Sequence, residues 1–380
     1  MKLWDTIKQW WPGSEYDEAA KRRLLRYQKL QETMRHKNVD HYLIEDPTDV
    51  YYFTGQYFSA CSLMVHAEGH PDLMVDSRYF AALQPGYWHP HLLEKGFWQK
   101  FWQRAQIRSV SFDPDKTTYS RFQELSEQTV DFGLRLSPQK NLTVPLQRVK
   151  DPHQIEKMAG AGELAAEALA MAKSHLKEGV TEKQISRLIR RFFVDQGADI
   201  AFEPIVAFGD HSAIPHHVCT DRALEIGHFV MIDLGAKLDR YCSDMTRTFF
   251  FKEIGDKDLE RMWKLAYEAF NIAKNLANAS VSCHELDRKV REYFKENGVE
   301  DRFTHSLGHG IGLRVHESPR IRADASSDYI LESGAVITIE PGLYLPAKGG
   351  VRLEDTLVVS ERGAVSLTPS PFEIVYVGNS

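Results

Sequence analysis

Residues 230 to 246 read VMIDLGAKLDRYCSDMT: an apolar run ends on a carboxylate at Asp233, a short polar turn follows, and a second acid, Asp244, stands on the return. In a β-strand alternate side chains share a face, and neighbouring strands lie about 4.7–4.9 Å apart, so acids on the two arms of a hairpin can converge. The arrangement occurs again downstream. GHFVMIDLG (227–235) aligns with GAVITIEPG (334–342), which sets Asp233 on Glu340 with a glycine two residues later in both. SDMT (243–246) aligns with LEDT (353–356), which sets Asp244 on Glu354.

The helical segments before these runs repeat as well. GVTEKQISRLIRRFFVDQG (179–197) lies without gaps on SVSCHELDRKVREYFKENG (280–298), matching the caps Thr181 and Ser282, Gln184 with Glu285, Phe193 with Phe294, and Gly197 with Gly298. Two amphipathic helices share apolar spacing by default, so the helices alone decide little. The acid-bearing strands decide it: each half supplies helices and then a hairpin with two acids, a duplicated α/β (α+β) fold with a pseudo-two-fold axis.

The remaining chain sets the frame. Its 380 residues, 43% apolar and 26% charged, suffice for two globular domains. A net charge of −6 gives no basic surface to hold nucleic acid. No run approaches the ~20 apolar residues of a membrane span. The start, MKLWDTIKQWWPG, meets Asp5 and Pro12 before a signal-peptide core develops. Cys61, Cys219, Cys242 and Cys283 are far apart, which fits a reducing, cytoplasmic setting. In the first third, YDEAAKRRLLRYQKLQETMRHKN and TTYSRFQELSEQ have helical periodicity, whereas DHYLIEDPTDVYYFTG and SLMVHAEGHPDLMVDS read as strands around turns. The Pro-, Gln- and Asn-rich LSPQKNLTVPLQRVKDPHQ places a boundary near residue 145, dividing a smaller α/β domain (1–144) from the duplicated one (145–380). Asp151, Pro152 and Gln154 then open a long helix.

Four carboxylates facing one apolar space raise each other's pKa or destabilise the fold unless a positive charge joins them. Two divalent cations balance four negative charges, and two-metal hydrolytic sites hold their ions about 3.5–4 Å apart. Carboxylate-rich donors favour manganese, with cobalt, iron or zinc admissible where imidazole takes part. HSLGHGIGLRVHESP (305–319) brings His305, His309 and His316 in a glycine-rich setting. Any one of these residues alone is more often a turn acid or a structural histidine. Two matching acid hairpins with a GHG segment between them reverse those odds.

On these residues the chain resembles the pita-bread metallopeptidases, the family of Xaa-Pro aminopeptidase, prolidase and methionine aminopeptidase, over nearly its whole length and most specifically over residues 205–357. The resemblance implies five metal ligands: Asp233 and Asp244, the latter bridging both ions, His309 in GHGIG, Glu340 in TIEPG, which also handles protons, and Glu354 in GVRLED as the second bridge. It implies that His316 contacts the peptide carbonyl and that His216, after Pro215, faces the substrate, although the internal repeat pairs His217 with His316. Arg352 resembles the arginine of proline-specific members. The 14 residues from Glu340 to Glu354 and the YYFTG and MVDSRYF segments favour that branch over methionine aminopeptidases. MKLWDTIKQWWPG matches no pattern of the family.

The resemblance thus implies a homodimeric aminopeptidase that hydrolyses the N-terminal Xaa-Pro bond of peptides through a hydroxide bridging two divalent metals, in the cytoplasmic setting that the cysteines suggest. Here Glu340 relays a proton to the leaving nitrogen, and His316 and His216 act on the substrate. A prolidase restricted to Xaa-Pro dipeptides uses the same ligands and is the alternative. A non-catalytic peptide-binding module of the same fold is disfavoured because all five ligand positions are kept.

Overall fold

Why the chain turns where it does is clearest at helix caps. The computed structural model describes residues 19–84, 86–105, 107–326 and 328–377, so MKLWDTIKQWWPG lies outside the described residues. The chain forms two compact units that part between Gln147 and Arg148.

The first unit runs α1 (Ala19–His36), β1 (His41–Ile44), α2 (Pro47–Thr54), β2 (Cys61–His66), β3 (Asp72–Val75), α3 (Ser77–Phe80), β4 (His89–Leu92), α4 (Phe97–Ala105), β5 (Ser109–Phe112), α5 (Tyr119–Thr129), β6 (Arg135–Pro138) and α6 (Val144–Arg148). Its six strands form one mixed sheet in the order β4-β3-β2-β1-β5-β6. Leu43, Met64, Met74, Trp102, Val110 and Leu125 make its core. One expectation fails here: PTDVYYFT is helix α2, not strand. Asp46 caps it by accepting from the Thr48 and Asp49 amides, Pro47 suits the first turn, and Gly55 ends it at φ 69°. The aromatic, β-branched composition is overridden by these stop and start signals.

The second unit begins with α7 (Pro152–Ser174) and α8 (Glu182–Asp195), then β7 (Asp199–Ile200), β8 (Ile205–Phe208), β9 (Phe229–Leu234), β10 (Ala236–Leu238), β11 (Tyr241–Cys242) and β12 (Met245–Phe251). Both helices open on complete capping boxes, Asp151 with Gln154 and Thr181 with Gln184. Its second half repeats the plan with α9 (Lys257–Leu276), α10 (Cys283–Glu296), β13 (Gly308–Gly310), β14 (Glu317–Ile321), β15 (Val336–Ile339), β16 (Gly342–Leu345), β17 (Gly349–Arg352), β18 (Asp355–Ser360), β19 (Gly363–Ser366) and β20 (Val375–Tyr376).

In each half the last helix turns a row of apolar residues inward: Ile185, Ile189 and Phe193 in α8, Leu286, Val290 and Phe294 in α10, all fully buried. Antiparallel β9 and β12 set Thr246 opposite Asp233, and β15 and β18 set Ile339 opposite Asp355. A single antiparallel bridge from Thr246 to Glu354 joins the two sheets. The acid-bearing hairpins are not plain two-strand turns. A small ribbon, β10–β11 in one half and β16–β17 in the other, sits between the paired strands. The acids stand where the chain leaves a long strand for the ribbon and where it returns.

Candidate metal centre

Asp233 lies on β9, Asp244 immediately before β12, Glu340 immediately after β15 and Glu354 immediately before β18. The sheet-joining bridge therefore brings strand ends, not strand centres, together. His309 comes from β13, whose backbone packs too closely for side chains: a Cβ on Gly308 would lie 2.0 Å from the Thr338 carbonyl oxygen, and one on Gly310 2.3 Å from that of Ser318. The GHG spacing is thus set by strand packing on both sides of the histidine.

Asp244, His309 and Glu354 each offer one ligand atom within 4.8 Å of the others. Imidazole Nε2 of His309 is 3.5 Å from Glu340 Oε1 and 3.8 Å from Asp244 Oδ2. Its Nδ1 lies 3.0 Å from the Gly310 carbonyl oxygen. That bond requires the proton on Nδ1, so in the neutral ring the Nε2 lone pair faces the acids. Burial holds the His309 pKa down, to about 4, and keeps the ring neutral.

Asp233, Asp244 and Glu354 are nearly inaccessible. Burial, then the charges of Glu354, Asp233 and Glu340, push Asp244 well above the carboxylate range. Burial, then Glu340 and Asp233, do the same to Glu354. Glu340 is pushed up to about 8, chiefly by burial. Two groups oppose this. The Thr246 hydroxyl donates to Glu354 over 2.6 Å, and Arg352 Nη2 donates to Asp233 Oδ2, also over 2.6 Å. The other Asp233 oxygen, Oδ1, is buried without a partner. A neutral imidazole nitrogen, an orphaned carboxylate oxygen and mutually repelling acids on one point are the donor set of a divalent cation centre. Asp244, His309 and Glu354 stand within ligand range of one another, Glu340 lies beside His309, and Asp233 is near enough for its charge to raise the other three acids, so the residues present fit a divalent cation.

The histidines beside them divide into two groups. His316 packs edge-on to His309 at 4.5 Å between ring centroids. His216 is exposed and near enough for its charge to lower the pKa of both His305 and His316, after the larger effect of burial in each. His217 turns the other way, buried against Glu182 at 2.9 Å. Of the pair left open by the sequence, His216 is the one on the side of His316.

Arg352 does more than its position implied. Besides Asp233, it donates through Nη1 to the Pro215 carbonyl at 3.2 Å and to the Tyr344 hydroxyl at 2.9 Å, and through Nε to the Thr246 hydroxyl at 3.2 Å. Tyr344 in turn contacts His305 Nε2 at 3.0 Å. Tyr344, Thr246 and Thr338 were not singled out from the sequence. Thr246 and Thr338 stand two residues from Asp244 and Glu340, which is the one signal the sequence offered for them, and Tyr344 on β16 had none.

The chain is similar to known proteins along nearly its whole length. Residues 156–361 match the model of metallopeptidase family M24, and residues 26–144 that of the creatinase/prolidase N-terminal domain. The Xaa-Pro dipeptidase of Pyrococcus furiosus is 32% identical over 92% of this chain and 99% of its own. Among solved structures, an Xaa-Pro dipeptidase from Bacillus anthracis superposes with TM-score 0.88 at 29% identity, covering 93% of this chain and all of the other. An X-Pro aminopeptidase from Thermotoga maritima gives 0.82 at 31%, covering 91% of this chain and all of the other.

Proposed function

Since the chain belongs to metallopeptidase family M24, with the pita-bread fold of that family preceded by its N-terminal α/β domain, we propose that it hydrolyses Xaa-Pro bonds and works first as an Xaa-Pro dipeptidase. The observation that carries the peptidase reading is the gathering of Asp244, His309 and Glu354 within ligand range, with Glu340 beside His309 and Asp233 close enough to act on the other acids. The dipeptidase reading draws its support from the two dipeptidases aligned over nine-tenths of the chain. The aminopeptidase expected first from the sequence becomes the second reading, favoured by the 31% identity to the Thermotoga enzyme.

Those five side chains would hold two divalent ions, manganese first, with cobalt, iron or zinc admissible. Bound there, the ions supply Lewis acidity and water activated at neutral pH. The remaining work falls to the protein. An Xaa-Pro bond is a tertiary amide whose nitrogen carries no hydrogen and leaves only when protonated. Glu340 would take up the proton that the attacking water gives up and pass it to the proline nitrogen as the bond from that nitrogen to the carbonyl carbon breaks. His316 donates to the scissile carbonyl oxygen as charge develops on it, and His216 faces the substrate from the opposite loop. Arg352 holds Asp233 in place and meets the peptide on the proline side.

In this reading the protein is a cytoplasmic homodimer acting on peptides with proline in second place. Four free cysteines support the reducing compartment. Among the described residues no helix is long and apolar enough to cross a membrane, and the net charge of −6 disfavours nucleic acid.

The test is mass-spectrometric product analysis of manganese-loaded protein given an Xaa-Pro dipeptide and an Xaa-Pro-Xaa tripeptide side by side. Cleavage of the dipeptide with the tripeptide intact establishes the dipeptidase. Release of the first residue from the tripeptide establishes the aminopeptidase. If neither is cut while two metals are bound, the proline-specific reading fails.

A further inference from the structure

Behind the His216 loop stands a second cluster of one acid and two imidazoles: Glu182, His211 and His217, with ligand atoms within 4.8 Å of one another. Glu182 is the first residue of α8 and fully buried. Its Oε1 accepts from the Phe208 amide at 2.9 Å and lies 2.8 Å from His211 Nδ1. Its Oε2 accepts from the Thr220 amide and hydroxyl, both at 2.8 Å, and lies 2.9 Å from His217 Nε2.

A carboxylate has about four lone-pair positions. Two amides, one hydroxyl and two imidazoles therefore saturate it, and no direction is left open for a cation. Burial alone would raise the Glu182 pKa, but the bonds from His217, the Phe208 and Thr220 amides and the Thr220 hydroxyl outweigh it and hold the carboxyl below its usual range. The group is a charged knot, fully bonded without an ion.

What it ties is specific. Every donor comes from the segment 208–220, at both ends of the loop that carries His216. The His211 and His217 rings also pack against each other, tilted by 37° with centroids 4.6 Å apart. On the other side of His216, Arg352 donates to the Pro215 carbonyl at 3.2 Å. The residues immediately before and after His216 are thus both anchored to buried charges, while His216 itself is exposed between them. The two anchors bear opposite charges and come from different halves of the duplicated unit.

We infer that Glu182 and His217 are positioning residues: the Glu182–His217 bond fixes the rotation of the 215–217 backbone, so that His216 meets the bound peptide in one orientation. This rests on the reading of His216 as a substrate-side histidine. Misplacement of a group by about 1 Å costs up to about a hundredfold in rate, which is the scale on which a lost strut would be felt.

The test compares His217→Leu, which fills the space but donates nothing, with His217→Gln, whose side-chain amide can donate to Glu182. The full-length, manganese-loaded protein is used, with kcat and KM measured on the Xaa-Pro dipeptide and tripeptide. Expected are a kcat/KM for His217→Leu lowered by about tenfold or more, mainly through KM, and recovery to within about threefold in His217→Gln. Both variants should keep two manganese equivalents and the wild-type Tm. Wild-type kcat/KM in His217→Leu overturns the inference. So does a loss that follows a fall in Tm and is no smaller in His217→Gln, because that marks a purely structural bond. So does a third divalent equivalent in the wild type that His217→Leu loses, because that marks an ion site. If the wild-type protein cleaves neither peptide, the proposed function has failed, and the inference is decided by the rate at which diethyl pyrocarbonate modifies His216, followed by peptide mapping. A several-fold change in His217→Leu, restored in His217→Gln, supports it, and an unchanged rate overturns it.

Discussion

Asp233 is the residue at which the opposing forces in the site are most visible. One oxygen is held by Arg352 at 2.6 Å, and the other is buried with no partner. A buried acceptor left unpaired costs about 1–3 kcal/mol, a cost that a cation at Oδ1 removes. Around it, burial and like charges push Asp244 and Glu354 well above the carboxylate range and Glu340 up to about 8. At pH 7 the metal-free site therefore holds protons that a cation must displace. Calorimetric titration of stripped protein with manganese, in two buffers of different ionisation enthalpy, should give different apparent heats from which proton release is calculated. Glu354→Gln should release fewer protons and bind more weakly. Equal heats in both buffers would mean that the acids are already ionised and the account of their mutual repulsion is wrong. The four acids proposed for this centre were legible in the sequence because the chain spells their pattern twice, and His309 because it stands between two glycines in the segment that separates the two acid hairpins. His216 and His217 were not separable there: adjacent residues of one type differ only in which way a loop turns them, and that depends on Glu182, 34 residues before His216.

At the scale of elements, the β16–β17 hairpin positions Tyr344 and Arg352, and its turn places Ala347 at φ 60°. An L-residue in that region is strained by roughly 1–2 kcal/mol, which glycine relieves. Ala347→Gly should raise Tm by about 2–4 °C for a unit of this size and leave metal binding intact; a Tm that stays put or falls would show that the turn is not strained. In the first unit the β1–β2 pair sets His41 opposite His66, with their Nδ1 atoms 2.8 Å apart, and His66 and His91 both hold Asp72, at 2.7 and 2.6 Å. Burial, then the His66 charge, lower the His41 pKa from its usual 6.5, against the weaker pull of Asp40 and Asp72. The unfolded chain therefore binds this proton more readily than the folded one. The stability that neutral His41 contributes is complete above pH 6.5 and is lost as pH falls through the lowered folded value. Thermal melts between pH 7.5 and 5 should show a shallower decline for His41→Asn than for the wild type, and parallel curves would remove His41 as the cause. Element type was legible wherever caps and period agreed, as in α7 and α8. In α2 they conflicted: Val50, Tyr51, Tyr52 and Phe53 favour a strand, but Asp46, Pro47 and Gly55 set a helix of two turns around them. The β10–β11 and β16–β17 ribbons were invisible because their strands of two to four residues are too short to carry a period.

For the whole molecule, the duplication is what the sequence exposed best, since two copies of a pattern carry more information than either alone, and the boundary between the units is what it blurred. A Pro- and Gln-rich segment near residue 145 reads as a linker, yet it folds as α6, and Gln147 reaches back to a buried Asp49 at 3.0 Å, so that the first unit extends to Gln147. Each unit has a core of its own. In the second, one cluster built on Phe193, Phe208 and Phe249 and another built on Phe270, Phe294 and Leu357 lie wholly beyond Arg148. All five proposed ligands, the Arg352 network and the Glu182 knot lie there too. A fragment from Arg148 onward carries every group on which metal binding depends and buries its apolar surface against itself, which is the condition for folding alone. It should therefore express as a soluble protein with a cooperative thermal transition and take up two manganese equivalents by mass spectrometry under native conditions. A fragment that melts cooperatively but binds fewer than two would mean that the first unit supplies or orders a ligand, and the five-residue centre would have to be redrawn. A fragment that shows no cooperative transition would mean that the core of the second unit, large as it is, does not stabilise the duplicated fold without the first.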